Sequence, residues 1–168
     1  GREQAIRVGE RLRHLPIERI YVTNLRRTVE TASPLVDRMK LTAAVEPDLR
    51  EVHLGDWEGG VLAIKASQKD PIYLRLMDEG RWSVIPGAES DDEVHLRVIR
   101  ALTRIAERHP DQLVAAFVHG GIVAHILAHA TGARGAFAFN ADHASISHIR
   151  IAGDRIVVRG FNDCAHLV

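Results

Sequence analysis

The sequence predicts an α/β fold in three layers, α/β/α, with a mostly parallel sheet. Short β-rich segments alternate with longer amphipathic segments along the chain, which is the pattern of strand–helix–strand units. Residues 112–118 (QLVAAFV) are nearly all apolar, as expected for a parallel strand that is covered on both faces. The 168 residues suffice for one domain with its own core, and no repeat or linker divides them.

In the first half of the chain, the spacing of apolar residues separates two helices from two strands. Pro16 ends the first helix, and Pro34 is expected to bend or break the second. Leu25 and Val29 are expected to face the core from this second helix. The predicted elements are a helix at 4–15, a strand at 19–23, a helix at 25–39 and a short strand at 42–45.

The second half begins with a loop rich in glycine and acidic residues and ends with a hairpin that turns at Gly153-Asp154. Asp70-Pro71 interrupts an irregular helical segment, and residues 60–88 are expected to form a small cap-like insertion within the single domain 1–168. The predicted elements are a loop at 51–60, helical segments at 61–79, a loop at 80–87, a long helix at 90–109, a strand at 112–118, a helix from 121 to about 130, and strands at 145–151 and 155–161.

The composition argues against several classes of function. Lys plus Arg and Asp plus Glu both number 22, so the chain lacks the net charge of an extended nucleic-acid surface. No apolar run approaches the roughly 20 residues that span a bilayer, so no membrane association is expected. The single cysteine, Cys164, cannot form an internal disulfide and favours a cytoplasmic location. A homodimer is compatible with these features.

Ligands of open parallel sheets bind beyond the carboxyl ends of the strands, which selects residues 23–28 and 119–121. At the second place, His119-Gly120-Gly121 lies between the apolar strand and a helix. Free N–H groups at a helix N-terminus attract anions, and the glycines allow a close approach. A protonated His119 there binds a phosphoryl oxygen and a neutral one moves a proton. The alternative is a histidine that only forms hydrogen bonds in a tight turn.

At the first place, Arg26 and Arg27 lie in the first turn of the second predicted helix, which Thr23 or Asn24 is expected to cap. Two arginines there oppose the helix macrodipole, and an anion between them removes the conflict. Because the apolar face of the helix points to the core, only one of the two reaches the strand ends. Arginine is well suited to binding phosphate through two parallel hydrogen bonds. The alternative is that both arginines are solvated helix residues; this is expected of Arg26, and Arg27 is the candidate.

A carboxylate ahead of a loop with glycine and tryptophan, Glu51, is a candidate for a sheltered general acid. A metal site is the competing hypothesis, because His125 and His129 share one helix face as zinc ligands often do. Residue 126 is Ile, however, and the Glu of the H-E-x-x-H pattern is absent. No metal is therefore expected.

Short patterns along nearly the whole chain occur in the same order in one family of phosphate-handling proteins. They are G-x-x-Q-A at 1–5, T-x-L-x-R-T-x-x-T-A at 23–32, L-x-E-x-x-x-G-x-W-E-G at 49–59, P-G-A-E-S at 86–90 with Arg97 following, V-H-G-G at 118–121, and N-x-x-x-H-L at 162–167. On these segments the chain resembles the histidine phosphatase superfamily, branch 1, which has a phosphoglycerate mutase-like fold.

The resemblance implies a phosphomonoester hydrolase that forms a phosphohistidine intermediate and needs neither metal nor another cofactor. By position, Arg27 resembles the second phosphate-binding arginine of the family, His119 its second active-site histidine, and Glu51 its proton donor to the leaving oxygen. The implied partner is a small phosphorylated metabolite or free phosphate. The predicted phosphate-binding residues are Arg27, His119, Gly120, Gly121 and Asn24.

The chain departs from the family in one respect, because residues 1–168 contain no R-H-G. In the family this segment carries the nucleophilic histidine on a central strand and precedes G-x-x-Q-A, so both are expected upstream of Gly1, as is any targeting signal. Residues 1–168 alone are therefore expected to be inactive. The loop at 51–59 and the short insertion favour a phosphatase over a phosphoglycerate mutase-type transferase (an isomerase). The third alternative is a pseudophosphatase that binds phosphorylated ligands.

Overall fold

The computed structural model describes residues 1–168 and contains six α-helices, five strands and several one-turn 3-10 helices. The helices are α1 (Arg2–Leu12), α2 (Arg26–Met39), α3 (Val61–Ser67), α4 (Pro71–Glu79), α5 (Asp91–Arg108) and α6 (Gly120–Thr131). The strands are β1 (Ile17–Val22), β2 (Ala43–Val45), β3 (Leu113–Phe117), β4 (Ile146–Ala152) and β5 (Arg155–Asp163). Each predicted element is present, with ends that differ by a few residues.

The central sheet has the strand order β2-β1-β3, and its three strands are parallel. Alternate side chains of β1 point to opposite faces, because side chains along a strand have a period of two. Ile20 and Val22 pack against α1 and α2, whereas Tyr21 packs with the apolar faces of α5 and α6. Helices thus cover both faces of the sheet, and the predicted three-layer fold is confirmed.

Strands β4 and β5 form a separate antiparallel hairpin that turns at residues 153–154, as predicted. β3 pairs with β1 along one edge, and neither sheet supplies a neighbour for its other edge. Both faces of β3 are covered as predicted, because Val114 packs on the side of α5 and α6 and Phe117 on the side of α1 and α2, but the strand is not fully buried, since only Phe117 is buried and Ala116 is exposed. An edge strand has neighbouring side chains on one side only, which leaves these apolar residues partly accessible.

Helix α2 is continuous through Pro34, so the predicted break does not occur. Proline cannot donate to the carbonyl four residues before it, but the hydroxyl of Ser33 donates to the Glu30 carbonyl instead, at 3.0 Å. The prediction that Val29 faces the core is also wrong, because this side chain is 47% exposed. The residues of α2 that are buried are Thr28, Ala32 and Leu35.

Helices α3 and α4 lie over a small separate core, and Asp70 caps α4 by accepting the Ile72 N–H at 2.9 Å. The buried members of that core are Trp57, Leu76 and Ile85. The segment that carries α3 and α4 returns to the acidic loop at Gly55, where the Asp56 N–H donates to the Pro86 carbonyl at 3.0 Å. None of the six helices combines the length and the apolar character that crossing a bilayer requires.

The approach of these two loops predicts an unequal cost for two glycine substitutions. Gly55 has φ +55°, and a Cβ there would lie 2.3 Å from the backbone of Pro86 and Gly87. Gly59 has φ +66° but no atom within 4 Å of such a Cβ. We expect Gly59→Ala to cost about 1 kcal/mol through backbone strain alone, and Gly55→Ala at least about 3 kcal/mol. Denaturant unfolding measures both, and equal costs would contradict the close packing.

Candidate active site

The candidate site lies at the carboxyl ends of β1 and β3, the two places that the sequence selected. Val22 pairs with Phe117 in the parallel register, so the residues that follow each strand come side by side. Thr23 and His119 are both buried, and the Thr23 hydroxyl oxygen lies 3.0 Å from Nε2 of His119. The pairing of two strands 96 positions apart in sequence therefore creates the site.

The hydrogen bonds around His119 define its tautomer. Arg27 Nε can only donate, and it lies 3.2 Å from Nδ1 of His119, so Nδ1 is an acceptor without a proton. The proton of the neutral ring is then on Nε2, which donates to the Thr23 hydroxyl. That hydroxyl donates to Thr28 Oγ1 at 3.0 Å, and Thr28 in turn donates to the Leu25 carbonyl at 2.8 Å. Both hydroxyls in this series of hydrogen bonds have an acceptor, and the series holds the imidazole of His119 in one orientation.

Arg27 and Arg26 point in different directions, as the sequence predicted. Arg26 is 87% exposed and pairs with Glu30 at 2.6 Å, one turn along α2. Arg27 projects over the end of the sheet to His119. The directions predicted for the two arginines are therefore right. The core face predicted for α2 was not, because the buried stripe of this helix begins at Thr28 and not at Leu25.

The capping prediction for α2 is wrong. The N-cap residue is Leu25, which has no side-chain capping bond, and Asn24 is exposed beside it. Thr23 accepts the Leu25 N–H at 3.2 Å, but its principal partners are His119 and Thr28. The hydroxyls of Thr23 and Thr28 are thus the contributors to the site that the sequence reasoning missed. Their spacing, one at a strand end and one in the first turn of the next helix, was the available signal.

Glu51 lies against the N-terminus of α6. Its carboxylate accepts the Val52 N–H at 3.1 Å, and a Cβ on Gly121 would lie 2.6 Å from Glu51 Oε1, so any larger residue there would displace the carboxylate. Burial raises the pKa of Glu51, while the N–H groups of Val52 and Gly121 and the charges of Arg27 and Arg97 oppose that rise. A carboxyl group with a raised pKa beside a cationic anion-binding group is suited to donating a proton.

The imidazole of His119 is neutral near pH 7. Burial, followed by the positive charges of Arg27 and Arg97, lowers the pKa of His119 to about 4. The protein surroundings of His119 therefore favour the neutral ring over the protonated form that the sequence left open. A phosphate dianion next to this ring would favour its protonated form, because an opposite charge at close range raises a histidine pKa.

The two histidines of the competing metal hypothesis are separated by their environments. His125 is buried within α6, whereas His129 is exposed and its ring lies 5.0 Å from that of His95. No three side chains of the metal-binding types His, Cys, Asp and Glu come together in a group that could hold a metal ion.

Comparison with known proteins adds a family and several relatives. The profile of the histidine phosphatase superfamily (branch 1) matches residues 1–164. A phosphoglycerate mutase-like protein 4 of Arabidopsis thaliana is 38% identical over 127 residues, which cover 73% of this chain and 55% of that protein. A metal-independent phosphoserine phosphatase of the same plant is 28% identical over 171 residues, covering 99% of this chain and 71% of its own length. The chain thus spans between about half and three quarters of these two relatives.

A solved structure agrees with the fold. The complex of mycobacterial glucosyl-3-phosphoglycerate phosphatase with inorganic phosphate superposes with a TM-score of 0.81 and 28% identity, and the alignment covers 98% of this chain and 86% of that one.

The low pKa of His119 predicts how stability depends on pH. Between pH 6.5, near the ordinary histidine pKa, and pH 4, the unfolded state binds a proton that folded His119 rejects. The free energy of unfolding therefore decreases as the pH falls, by about 2 kcal/mol between pH 7 and pH 5 from this group alone.

Urea unfolding of the wild type and of His119→Gln at these two pH values measures this contribution. The variant should lose less stability between pH 7 and pH 5 than the wild type does. His14→Gln, at an exposed position, is the control and should keep the wild-type dependence. An unchanged pH dependence in His119→Gln would show that His119 titrates normally in the folded protein.

Proposed function

This chain belongs to the histidine phosphatase superfamily (branch 1), and on that premise we propose that it is the phosphate-binding and acid–base part of a metal-independent phosphomonoester hydrolase. The observation that carries the proposal is the 3.2 Å contact of Arg27 with His119 at the carboxyl ends of two parallel strands, with Glu51 on the adjoining helix N-terminus. An arginine and an imidazole can stabilise the charge on a transferring phosphoryl group, and a carboxyl group with a raised pKa can protonate the leaving oxygen.

In this proposal the phosphoryl group of the substrate binds between Arg27 and His119. The guanidinium of Arg27 turns its donors to the phosphoryl oxygens, which frees Nδ1 of His119. The dianion raises the pKa of His119, so the ring takes up a proton from solvent at Nδ1, keeps it, and donates an N–H hydrogen bond to a phosphoryl oxygen. Nε2 keeps its proton and its bond to Thr23, so the ring need not rotate. Gly120, Gly121 and Asn24 complete the proposed phosphate site.

The nucleophile is a histidine of an Arg-His-Gly segment, which residues 1–168 do not contain. The greater length of the relatives and the sheet topology support its delivery by a further strand of the full-length protein. β3 has one edge without a neighbour, and a parallel strand there would end beside His119. Residues 1–168 alone are then expected to be inactive.

In this proposal the reaction has two steps. The nucleophilic imidazole forms a bond to phosphorus while the bond to the leaving oxygen breaks, and Glu51 transfers its proton to that oxygen. Water then attacks phosphorus, its proton passes to the Glu51 carboxylate, and the bond from phosphorus to the imidazole breaks to release inorganic phosphate. The raised pKa of Glu51 supports this role, because the acid must hold its proton until the leaving oxygen needs it.

Hydrolysis, and not phosphoryl transfer between hydroxyls of a mutase, is the reaction we assign. The relative that aligns with 99% of this chain is a phosphatase by name, and the short segment at 60–88 favours the same choice. Mutase-type transfer is the second candidate, which the name of the Arabidopsis mutase-like relative favours.

We propose that residues 60–88, with α3 and α4 over their own small core, form a cap beside the acidic loop. The ligand is a small phosphorylated metabolite, and the cytoplasmic location and the homodimer stay predictions.

The pair of neighbouring arginines provides the test of the phosphate site. Arg27→Ala should lower the rate of p-nitrophenyl phosphate hydrolysis by the full-length protein, without added metal, at least about a hundredfold, because a hydrogen-bonding charge is lost from the transition state. Arg26→Ala, which removes an exposed arginine from the same helical turn, should leave the rate within about twofold. Similar losses in the two variants would remove Arg27 from the phosphate site.

The role of Glu51 predicts a dependence on the leaving group. Glu51→Gln should impair an alkyl phosphate at least about tenfold more than p-nitrophenyl phosphate, because a poor leaving oxygen needs the proton and nitrophenolate does not. Steady-state kcat values for a series of leaving groups measure this difference. A uniform loss across the series would assign the proton to another group.

A further inference from the structure

The guanidinium of Arg97, on α5, donates hydrogen bonds to several backbone carbonyls of the segment that carries Glu51. One terminal nitrogen donates to the carbonyls of Asp48 and Arg50, at 2.6 and 2.8 Å, and the other donates to the Glu51 carbonyl at 3.3 Å. The remaining two N–H groups form a bidentate pair with Glu89, at 2.6 and 2.9 Å. All five N–H groups of Arg97 are therefore used, and its side chain is only 10% exposed.

The carboxylate of Glu89 secures the same segment from its other side. Glu89 accepts the His53 N–H at 3.3 Å, and its own N–H donates to the His53 carbonyl at 2.9 Å. It also accepts from Arg50 at 3.3 Å. The Arg97–Glu89 pair thus contacts the backbone at residues 48, 50 and 51 and at residue 53, which bracket the acid on both sides.

These contacts rest on a planar fork that only arginine provides. A lysine ammonium is a single point of charge on a flexible stem and cannot reach Glu89 and three carbonyls together. The pair is buried, so the cost of separating it is high and its geometry is well defined. The Glu51 carboxyl group, by contrast, has only backbone N–H groups as hydrogen-bond partners, so its direction depends on where its own backbone lies.

We propose that Arg97 and Glu89 are positioning residues for the proton donor Glu51, and that they act by fixing its backbone and without contacting the substrate. This inference rests on the proposed function, because it assigns a role in the same reaction. Positioning to within a fraction of an ångström is what a general acid requires, since proton transfer depends steeply on the distance to the leaving oxygen.

The test compares Arg97→Lys with Arg104→Lys in the full-length protein. Arg104 lies two turns further along α5 and pairs with Glu46 and Asp48 at 2.9 and 2.7 Å, so its replacement disturbs the same helix and the start of the same segment without touching the carbonyls at 50 and 51. Glu89→Gln is a second variant that keeps its shape but loses the charge that aligns Arg97. Thermal unfolding defines a temperature at which each variant is folded.

The expected result is a loss that depends on the leaving group. Arg97→Lys and Glu89→Gln should lower kcat for phenyl phosphate at least about tenfold more than kcat for p-nitrophenyl phosphate, with KM within about threefold. Arg104→Lys should leave the ratio of the two kcat values unchanged. Equal losses on both substrates, or the same change of ratio in Arg104→Lys, would overturn the proposal, because a merely structural role weakens all substrates alike.

A second readout separates this proposal from the proposed function. The carboxyl carbon of Glu51 can be titrated by NMR in each variant, with no substrate present. Arg97→Lys should raise the pKa of Glu51 above that of the wild type, because a displaced Glu51 backbone weakens the bonds from the Val52 and Gly121 N–H groups that favour the carboxylate, and Arg104→Lys should not. If the wild type hydrolyses no phosphomonoester but this shift occurs, the proposed function is wrong and the positioning of Glu51 stands. An unchanged pKa in Arg97→Lys overturns the positioning itself.

Discussion

The parallel pairing of β1 with β3 is the constraint on which the rest of the site depends. Because Val22 pairs with Phe117, the two strands end at the same level, and the residues that follow them lie side by side. The buried hydrogen bond between Thr23 and His119 closes that junction. Arg27 reaches His119 from α2, and Glu51 lies against Gly121, two residues after His119. A change of one residue in this register would turn the strand-end side chains to the opposite faces of the sheet.

Burial acts on the two titratable groups of the site in opposite senses and leaves both inclined to be neutral. It raises the pKa of Glu51 and lowers the pKa of His119, because a low-dielectric environment disfavours either charge. Arg27 favours the anion of Glu51 and disfavours the cation of His119. Arg27 has no carboxylate partner, so a phosphate that binds beside its guanidinium would offset this uncompensated positive charge and be bound favourably.

Sequence periodicity located the elements well but not every face. The helices and strands were predicted within a few residues, since apolar spacing and the proline and glycine positions depend on local geometry. The exposure of Val29 and the effect of Pro34 were predicted wrongly, because both depend on contacts that local spacing does not show. The core face of α2 depends on what packs beneath it, and in α2 the Ser33 hydroxyl donates to the Glu30 carbonyl that proline leaves free.

The sequence by itself determined the fold class, the chain positions of Arg27, Glu51 and His119, and the choice of Arg27 over its neighbour. Each of these follows from local spacing or from short patterns in the chain. Only the tertiary structure decided the tautomer of His119, the hydrogen bonds of Thr23 and Thr28 that orient its ring, and the hydrogen bond from Arg97 to the Glu51 carbonyl. These are contacts between residues as much as 96 positions apart, and their geometry exists only once the sheet and its covering helices have packed together.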